Sequence, residues 1–295
     1  MKSGFVAIIG RSNVGKSTLL NTVIGEKVAI TAGKAQTTRH RIQAVYTDER
    51  GQIIFLDTPG LHKARNKLGD HMVKVAKRTL DDADVILWVV EPDRQPGRGD
   101  KAVGELLEKA GVPVILVVNK MDKVDHGELL ERIDTYYEAF APDEIIPLSA
   151  LNGKNIERLK DLLFDYFEEG PLYYDADTLT DQSVKQLAAE YVREKAMRFL
   201  QEELPHGVTV YVDQMKKRKG RNLWDVDATL VCERASHKGM IIGKQGAMLK
   251  KIGKHARADI EQLLDGKVNL KLWVKVRKDW RNDEFSIRDF GYEEK

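Results

Sequence analysis

More than any other feature, one glycine-rich string near the amino terminus constrains what this chain can fold into: Gly10-Arg11-Ser12-Asn13-Val14-Gly15-Lys16-Ser17. An apolar run of strand length, Phe5–Ile9, precedes the string, and Ser17–Ile24 follows it with the apolar spacing of a helix. Glycine allows backbone angles that a Cβ forbids, so successive N–H groups can turn toward one anion at the helix N-terminus. The pattern predicts a strand, a phosphate-binding loop and a helix in that order.

Three residues of this string have specific predicted roles, and we expect the whole string together with Thr18 to bind phosphates. Lys16 would place a charge beside the β- and γ-phosphates, and the Ser17 hydroxyl would be a ligand of Mg²⁺. Two roles are open for Asn13. It either makes a hydrogen bond within the loop or orients a monovalent cation beside the bridging oxygens, where an arginine finger would otherwise lie.

A second motif, Asp57-Thr58-Pro59-Gly60, directly follows the buried run Gln52–Leu56. A carboxylate at the carboxyl end of a buried strand lies at the sheet edge where open α/β folds bind their ligands. We therefore expect Asp57 to hold Mg²⁺ through water, and the backbone N–H of Gly60 to contact a γ-phosphate.

A third and a fourth motif predict that the base is guanine: Asn119-Lys120-Met121-Asp122 and Ser149-Ala150-Leu151. The first ends the apolar run Val112–Val118, and its carboxylate can accept hydrogen bonds from N1–H and N2–H₂ of guanine. Adenine has no donor at either position, so Asp122 would reject it by leaving polar groups unpaired. The backbone N–H groups of the second motif would meet guanine O6.

The segment Thr31–Arg41 lies where a loop that senses the γ-phosphate belongs. Thr38 is the predicted second protein ligand of Mg²⁺, with Thr37 as the alternative because spacing does not separate adjacent threonines. Arg39 and Arg41 are either charge stabilisers or solvated loop residues. The residue after Gly60 is Leu61, which cannot position an attacking water as the glutamine of Ras-type proteins does. Slow intrinsic hydrolysis is therefore expected.

The order of apolar runs predicts an α/β P-loop domain, with a mostly parallel sheet and helices on both faces, followed by a smaller α+β domain. We place the nucleotide-binding domain at 1–170, a linker without Lys or Arg at 171–182, and the second domain at 183–295. No apolar run is long enough to span a membrane, and the first strand begins too early for a secretory signal. We therefore expect a cytoplasmic location, and we predict separately that the protein is a monomer. Cys232 is predicted to be a buried strand residue.

Charge is distributed unevenly along the chain. Residues 214–281 contain 18 Lys or Arg against 7 Asp or Glu, whereas residues 1–175 contain 24 against 27. So basic a stretch is typical of a surface that binds a polyanion. It contains a Gly-x-x-Gly loop between an apolar leader and a helical follower, the phosphate clamp of KH domains. The predicted RNA-binding residues are Ile242, Gly243, Lys244, Gln245, Gly246, Lys250 and Lys251.

The surroundings of the clamp fit a KH domain of the second type, in which a helix and two strands precede the clamp. Val184–Leu204 has helical spacing, and three runs alternate as strands do: Val208–Val212, Trp224–Val231 and Leu270–Val276. A basic tip between the first two runs adds Lys217 and Arg218 to the predicted RNA contacts. We expect Trp224 and Trp273 to pack in the core.

Taken together, these motifs make the chain resemble the Era-type GTPases over essentially its full length. The likeness rests on one set of nucleotide motifs, including Thr37-Thr38-Arg39, Asp57–His62 and Ser149–Asn155, followed by the Gly243–Gly246 clamp. The string departs mildly from the usual family form at Ser12, where proline is common. The residue at this position lines the loop and has no expected role in the reaction.

The resemblance implies hydrolysis of GTP to GDP and phosphate with Mg²⁺ as cofactor. It also implies binding to the 3′ end of 16S rRNA and to the 30S subunit during small-subunit assembly, and peripheral association with the inner membrane face. It favours the role of Asn13 in binding a potassium ion. Two other hypotheses remain open: a peripheral membrane GTPase whose basic domain binds anionic lipid, and an RNA-binding scaffold whose GTP site is only structural.

Overall fold

In the computed structural model, which describes residues 1–34, 36–61, 64–92, 95–201 and 204–292, the apolar runs of the first half form a six-stranded sheet. Its strands are β1 (Lys2–Ile9), β2 (Ile42–Asp48), β3 (Gly51–Asp57), β4 (Val85–Val90), β5 (Val114–Val118) and β6 (Glu144–Pro147). The helices between them are α1 (Lys16–Ile24), α2 (Lys67–Asp81), α3 (Arg98–Leu107) and α4 (His126–Phe140), and α5 (Ile156–Tyr166) follows the last strand.

The sheet has the order β2-β3-β1-β4-β5-β6, and only the edge strand β2 runs antiparallel to its neighbour. This confirms the predicted mostly parallel α/β sheet. Because the other five strands are parallel, their carboxyl ends meet at one edge. The loops that follow these strands therefore share one face of the fold, and four of them carry the predicted motifs.

Side chains alternate along β1 between two apolar layers, as the pleat of a strand requires. Val6 and Ile8 pack in the layer that contains α1 and α5, whereas Ala7 and Ile9 pack in the layer that contains Leu116. All five side chains are fully buried. A core on both faces explains why these strands read as continuous apolar runs.

Two features of this sheet differ from the sequence-based expectation. Strand β2 was not expected, because polar residues such as Gln43 and Thr47 interrupt its short apolar pattern. The predicted linker also lies along β2, where Thr180 pairs with Ala44 and the Val45 N–H donates to the Leu179 carbonyl at 3.0 Å. Residues 171–181 therefore belong to the first unit of the structure.

The chain divides into two compact units, and the boundary is not a single point in sequence. The first unit contains Met1–Ala29, Thr38–Arg65 and Gly69–Asp181, and the second contains Ile30–Thr37, Asn66–Leu68 and Gln182–Lys295. The sequence places both short segments in the first domain. The structure instead packs them with the second unit, where Ile30 is buried in the apolar core.

The second unit is built on the three-stranded sheet β7-β8-β9, in which β8 runs antiparallel to β7 and parallel to β9. Its strands are β7 (Thr209–Lys217), β8 (Leu223–Cys232) and β9 (Lys267–Val276), and its helices are α6 (Val184–Phe199), α7 (Ala235–Ile242), α8 (Ala247–Leu263) and α9 (Glu284–Asp289). This is the predicted α+β arrangement, although α6 ends at Phe199 rather than at Leu204. The core contains buried residues of α6, α8 and β8, including Val192, Ile260 and Leu230.

The predictions for three side chains of this unit have different outcomes. Cys232 is fully buried on β8, as expected. Trp224 packs partly buried against the core, also as expected. The prediction for Trp273 is wrong, since its side chain is 59% exposed. It follows the core-facing Leu272 on β9 and precedes buried Val274, so the alternation of the strand turns Trp273 to the open face of the sheet.

None of the described helices is long and apolar enough to cross a bilayer.

The packing of α4 supplies a matched test of the core. Leu129 is 5% exposed and packs in the apolar layer with Trp88, whereas its neighbour Leu130 is 48% exposed. We expect Leu129→Ala to lower the free energy of unfolding by about 2–4 kcal/mol, because it removes buried methyl groups and leaves a cavity. Leu130→Ala should change it by less than about 0.5 kcal/mol. Denaturant unfolding followed by circular dichroism measures both, and equal losses would contradict this packing.

Candidate functional site

The four nucleotide motifs lie where β1, β3, β5 and β6 end, at the shared edge of the first sheet. Hydrogen bonds connect the loops to one another. The Leu61 N–H donates to the Gly10 carbonyl at 3.2 Å, and the Ser17 hydroxyl donates to Asp57 at 2.7 Å. The sheet therefore assembles one site from residues that are far apart in sequence.

Two glycines of the phosphate loop are required by space as well as by conformation. Gly10 has φ +148°, and a Cβ there would lie 2.3 Å from the Val89 carbonyl oxygen. Gly15 has φ +101°, and its Cβ would lie 2.2 Å from the Asn119 side-chain nitrogen. Any larger residue would push the loop away from its neighbours, so the cradle depends on both positions.

The ammonium of Lys16 lies buried across the loop that it follows. Its Nζ donates to the carbonyls of Gly10 at 3.1 Å and Arg11 at 2.9 Å. Burial lowers the pKa of Lys16 to about 8, although the carboxylate of Asp57 opposes that shift. An anion beside Nζ would favour the charged form, so this side chain is suited to a phosphate ligand.

Three oxygen atoms converge in front of Lys16 and match the ligand preference of Mg²⁺. The Ser17 Oγ lies 2.7 Å from Asp57 Oδ2 and 3.0 Å from Thr38 Oγ1, which is itself 3.4 Å from Asp57 Oδ2. The second carboxylate oxygen, Oδ1, is buried without a hydrogen-bond partner in the described part of the chain. Burial raises the pKa of Asp57, whereas the positive charge of Lys16 acts in the opposite direction. A divalent cation would satisfy the buried oxygen, so these residues fit the ion.

The hydrogen bonds of Thr37 and Thr38 indicate which of them could be the second protein ligand of Mg²⁺. The Thr37 hydroxyl donates to the Lys34 carbonyl at 2.7 Å and is thus used within its own loop. The Thr38 hydroxyl faces Ser17 and Asp57. This arrangement favours Thr38 as the metal ligand.

The motif after β3 combines a structural residue with a close approach of two loops. The Thr58 hydroxyl is buried and donates to the Ile8 carbonyl at 2.8 Å, which fastens the motif to β1. A Cβ on Gly60 would lie 2.8 Å from the Ser12 backbone nitrogen, so glycine is needed at this approach. Pro59 is also buried, and Leu61 packs against the apolar core. His62 lies outside the described residues.

Asn119 is the residue that ties the phosphate loop to the base-reading loops. Its side-chain nitrogen donates to the Val14 carbonyl at 2.8 Å, and its side-chain oxygen accepts from the Ala150 N–H at 3.0 Å. Ser149, beside it, is almost fully buried. With both amide groups used in this way, Asn119 positions the loops.

The groups that would meet guanine are more exposed. A hydrogen bond with Ser149 holds the pKa of the Asp122 carboxyl below its usual value, which keeps this exposed group ionised and able to accept. The Lys120 ammonium donates to the Asn13 carbonyl at 2.7 Å, and the Met121 N–H donates to the Leu148 carbonyl at 3.1 Å. Leu151 is 79% exposed.

Several residues of this site were not predicted. Asp100 of α3 pairs with Arg11 at 3.0 Å, and the Glu91 carboxylate pairs with Lys120. Glu91 follows β4 directly, so the strand-end rule that identified Asp57 would have found it. Arg39 is 1% exposed, which excludes a solvated role, whereas Arg41 is half-exposed and pairs with Asp82 at 2.5 Å.

In the second unit, the Gly-x-x-Gly clamp forms the predicted sharp turn between α7 and α8. Gly243 has φ +72°, and a Cβ there would lie 2.8 Å from the Met248 Cβ. Gly246 has φ +78° with open space around it, and Gln245 has a left-handed φ of +51°. The side chains of Lys244 and Gln245 are exposed at this turn. Ile242 packs partly buried against the core.

A cleft of about 580 Å³ runs from the clamp along α8 and β9. Three basic residues line this cleft together with glycines and leucines: Gly246, Leu249, Lys250, Gly253, Lys254, Arg257, Leu270 and Leu272. Lys254 and Arg257 were not predicted, although their spacing from Lys250 puts them on one helical face. Lys251, which the sequence also predicts to contact RNA, does not line the cleft, and its ammonium lies 4.4 Å from the centre of the Phe199 ring.

The basic tip between β7 and β8 also separates into two kinds of residue. Arg218 makes two hydrogen bonds of 2.7 Å to the Asp225 carboxylate, so its guanidinium is already paired. Lys217 is exposed, with its ammonium 5.7 Å from the centre of the Trp224 ring. Lys217 is therefore the more available of the two for a phosphate.

Each of the two units matches a known protein family. A family model described as "50S ribosome-binding GTPase" matches residues 5–120, and a KH-domain model matches residues 203–281. The chain is 52% identical over 295 residues to GTPase Era of Clostridioides difficile, covering 100% of this chain and 99% of that protein. It is 50% identical over 292 residues to GTPase Era of Clostridium tetani, covering 99% of each.

Two solved structures are similar over 100% of both chains, each at 40% sequence identity. One is Era in complex with MgGDPNP and nucleotides 1506–1542 of 16S ribosomal RNA, with a TM-score of 0.97. The other is a variant of Aquifex aeolicus Era bound to GDP and AlF₄⁻, with a TM-score of 0.96. Identity at this level over the full length, together with the sites described above, shows that the chain belongs to the Era family of GTPases.

Proposed function

We propose that this protein is a molecular switch that hydrolyses GTP to GDP and phosphate with Mg²⁺. One observation supports it most directly: the oxygens of Ser17, Thr38 and Asp57 lie within 2.7–3.4 Å of one another beside the buried ammonium of Lys16. A triphosphate with its metal ion needs this combination of hard oxygen ligands and a cation. When the ion is bound, it neutralises charge that develops on the phosphates.

The residues of the site would divide the remaining work between them. The loop N–H groups and Lys16 hold the phosphates, Asp122 selects the base, and the Gly60 N–H senses the γ-phosphate. Leu61 packs against the core and has no group that could orient water. We therefore assign charge stabilisation beside the bridging oxygens to a potassium ion held at Asn13.

The second unit would bind the 3′ end of 16S rRNA on the 30S subunit, so that the protein acts in small-subunit assembly as a cytoplasmic monomer. Support comes from the basic cleft beside the clamp and from the related Era structure that holds nucleotides 1506–1542 of this RNA. The glycines allow the RNA backbone to approach, and the cations that line the cleft face its phosphates. Peripheral membrane association remains a prediction, which vesicle binding tests alongside RNA binding.

Base selection is tested by Asp122→Asn. An amide donates where the carboxylate accepts, so the variant should prefer xanthosine triphosphate, which has a carbonyl at the matching position, over GTP. Competition binding measures the preference, which we expect to change by at least about tenfold. Asp134→Asn, the same change at an exposed position of α4, is the control and should keep the preference for GTP. If Asp122→Asn also keeps it, the role of Asp122 is wrong.

The potassium assignment predicts a cation effect on the rate. GTP hydrolysis by the wild type should be roughly tenfold faster in potassium than in sodium at equal ionic strength, because the proposed potassium ion at Asn13 would stabilise the charge that develops on the phosphates. Asn13→Ala should remove the difference between the two salts. Phosphate release at matched ionic strength measures the rates. Equal wild-type rates in both salts, with and without RNA, would contradict the assignment.

RNA binding is tested by two lysines that are adjacent in sequence but have different surroundings in the structure. Lys250 lines the basic cleft, whereas Lys251 lies on Phe199. Lys250→Ala should lower the salt slope of binding to single-stranded RNA with the 16S 3′ sequence by about 0.7, since one phosphate contact is lost. Lys251→Ala, the matched control, should leave the slope unchanged. Fluorescence anisotropy over a range of KCl concentrations measures both, and equal slopes for the two variants would contradict the assigned cleft.

A further inference from the structure

A carboxylate that no motif contains lies beside the nucleotide loops at the edge of the first sheet. Glu91 directly follows β4, and Lys120 is the second residue after β5. These strands pair in parallel with Val90 opposite Val118, so the two chain segments leave the sheet side by side. The Glu91 carboxylate forms an ion pair with the Lys120 ammonium. Only 11% of the Glu91 side chain and 25% of the Lys120 side chain are exposed, so the pair is largely shielded from water.

The same ammonium reaches the phosphate loop. Lys120 Nζ donates to the Asn13 carbonyl at 2.7 Å, and the neighbouring Asn119 side chain donates to the Val14 carbonyl at 2.8 Å. Two consecutive residues thus bind two consecutive carbonyls of the phosphate loop. Asn13 and Lys120 both have left-handed backbone angles, with φ of +69° and +66°. Such angles are uncommon for residues with a side chain, so the contacts that hold both residues matter for the shape of the two loops.

The two connections differ in what keeps them in place. Asn119 is 2% exposed, and both groups of its amide are bonded, so packing fixes its position. Lys120 has a long side chain that would gain rotamer freedom and hydration by turning toward solvent. The neutral carbonyl of Asn13 opposes this only weakly, whereas the Glu91 carboxylate adds a charge-assisted hydrogen bond to the same ammonium. Persistence of the second connection therefore depends on Glu91.

We propose that Glu91 is a positioning residue for nucleotide binding: by keeping the Lys120 ammonium at the Asn13 carbonyl, it holds the phosphate loop and the base-reading loop at a fixed separation. The inference rests on the proposed function and goes beyond it, because it gives a role to a residue outside all four motifs. Asp122 lies two residues after Lys120, so a nucleotide bound to both loops spans this connection. Loss of the connection should speed the release of GDP and GTP alike. It should leave hydrolysis of bound GTP unchanged, because the metal ligands are not part of it.

The test measures dissociation of tritium-labelled GDP from the full-length protein. Glu91→Ala should raise the dissociation rate roughly tenfold, because a hydrogen bond between charged partners is lost. Glu91→Gln still accepts a hydrogen bond but has no charge, so its rate should be intermediate. The single-turnover rate of hydrolysis, with all GTP bound, should stay within about twofold of wild type. Glu138→Ala, at an exposed position of α4, is the matched control and should release GDP at the wild-type rate.

A double-variant cycle shows whether Glu91 acts through Lys120. Lys120→Met should also speed the release of GDP, and adding Glu91→Ala to it should produce no further change. Fold-changes that multiply in the double variant overturn the proposal, because Glu91 then acts without Lys120.

Two results with the single variant also overturn the role of Glu91. One is a wild-type release rate in Glu91→Ala, and the other is a loss of single-turnover hydrolysis as large as the gain in release rate. If Glu91→Ala does not fold, Glu91→Gln decides by the same measurements. A wild-type protein that binds neither GDP nor GTP contradicts the proposed function itself.

Discussion

The structure of the nucleotide site depends on one buried pair of opposite charges: Lys16, the first residue of α1, and Asp57, the last residue of β3. Each group is buried, and desolvation lowers the pKa of Lys16 and raises the pKa of Asp57. Both shifts favour the neutral form of the group. Each charge opposes the shift of the other, so neither residue is independent of its neighbour. Ser17 and Thr38 complete the cluster with oxygen atoms at 2.7–3.4 Å. Buried charges of this kind need a partner of opposite charge. A phosphate beside Lys16 and a metal ion beside Asp57 would each provide one.

A second constraint is the way in which loops at the sheet edge hold one another. Asn119 connects the phosphate loop to the loop that reads guanine, and it does so with both groups of one amide. In the second unit, Arg193 plays a comparable part for the segment that ends at Thr37. Both side chains are almost fully buried and act through hydrogen bonds to backbone carbonyls or N–H groups. Each of these buried side chains thus holds a loop or segment of its own unit in place.

The sequence was sufficient to predict what depends on local pattern. Strand-end motifs such as Asp57 and Asn119 were identified because buried apolar runs mark the strands, and parallel strands share one edge. The edge strand β2 was missed because an edge strand needs no continuous apolar run. Trp273 was misplaced because composition favours burial of tryptophan, whereas the alternation of β9 turns it outward. The contact between Arg193 and Thr37 joins residues 156 positions apart, and no local pattern marks it.

The most direct test of the central claim is the rate of nucleotide hydrolysis by the purified protein with Mg²⁺, measured in parallel for GTP, for ATP and for the Lys16→Met variant. In the proposed function, Lys16 supplies the charge for the phosphates, and Asp122 rejects adenine because adenine would leave the carboxylate without hydrogen-bond donors. We expect slow turnover of GTP by the wild type, no turnover of ATP, and loss of GTP turnover in Lys16→Met. Turnover of GTP that survives in a folded Lys16→Met protein, or equal turnover of both nucleotides, would contradict the claim.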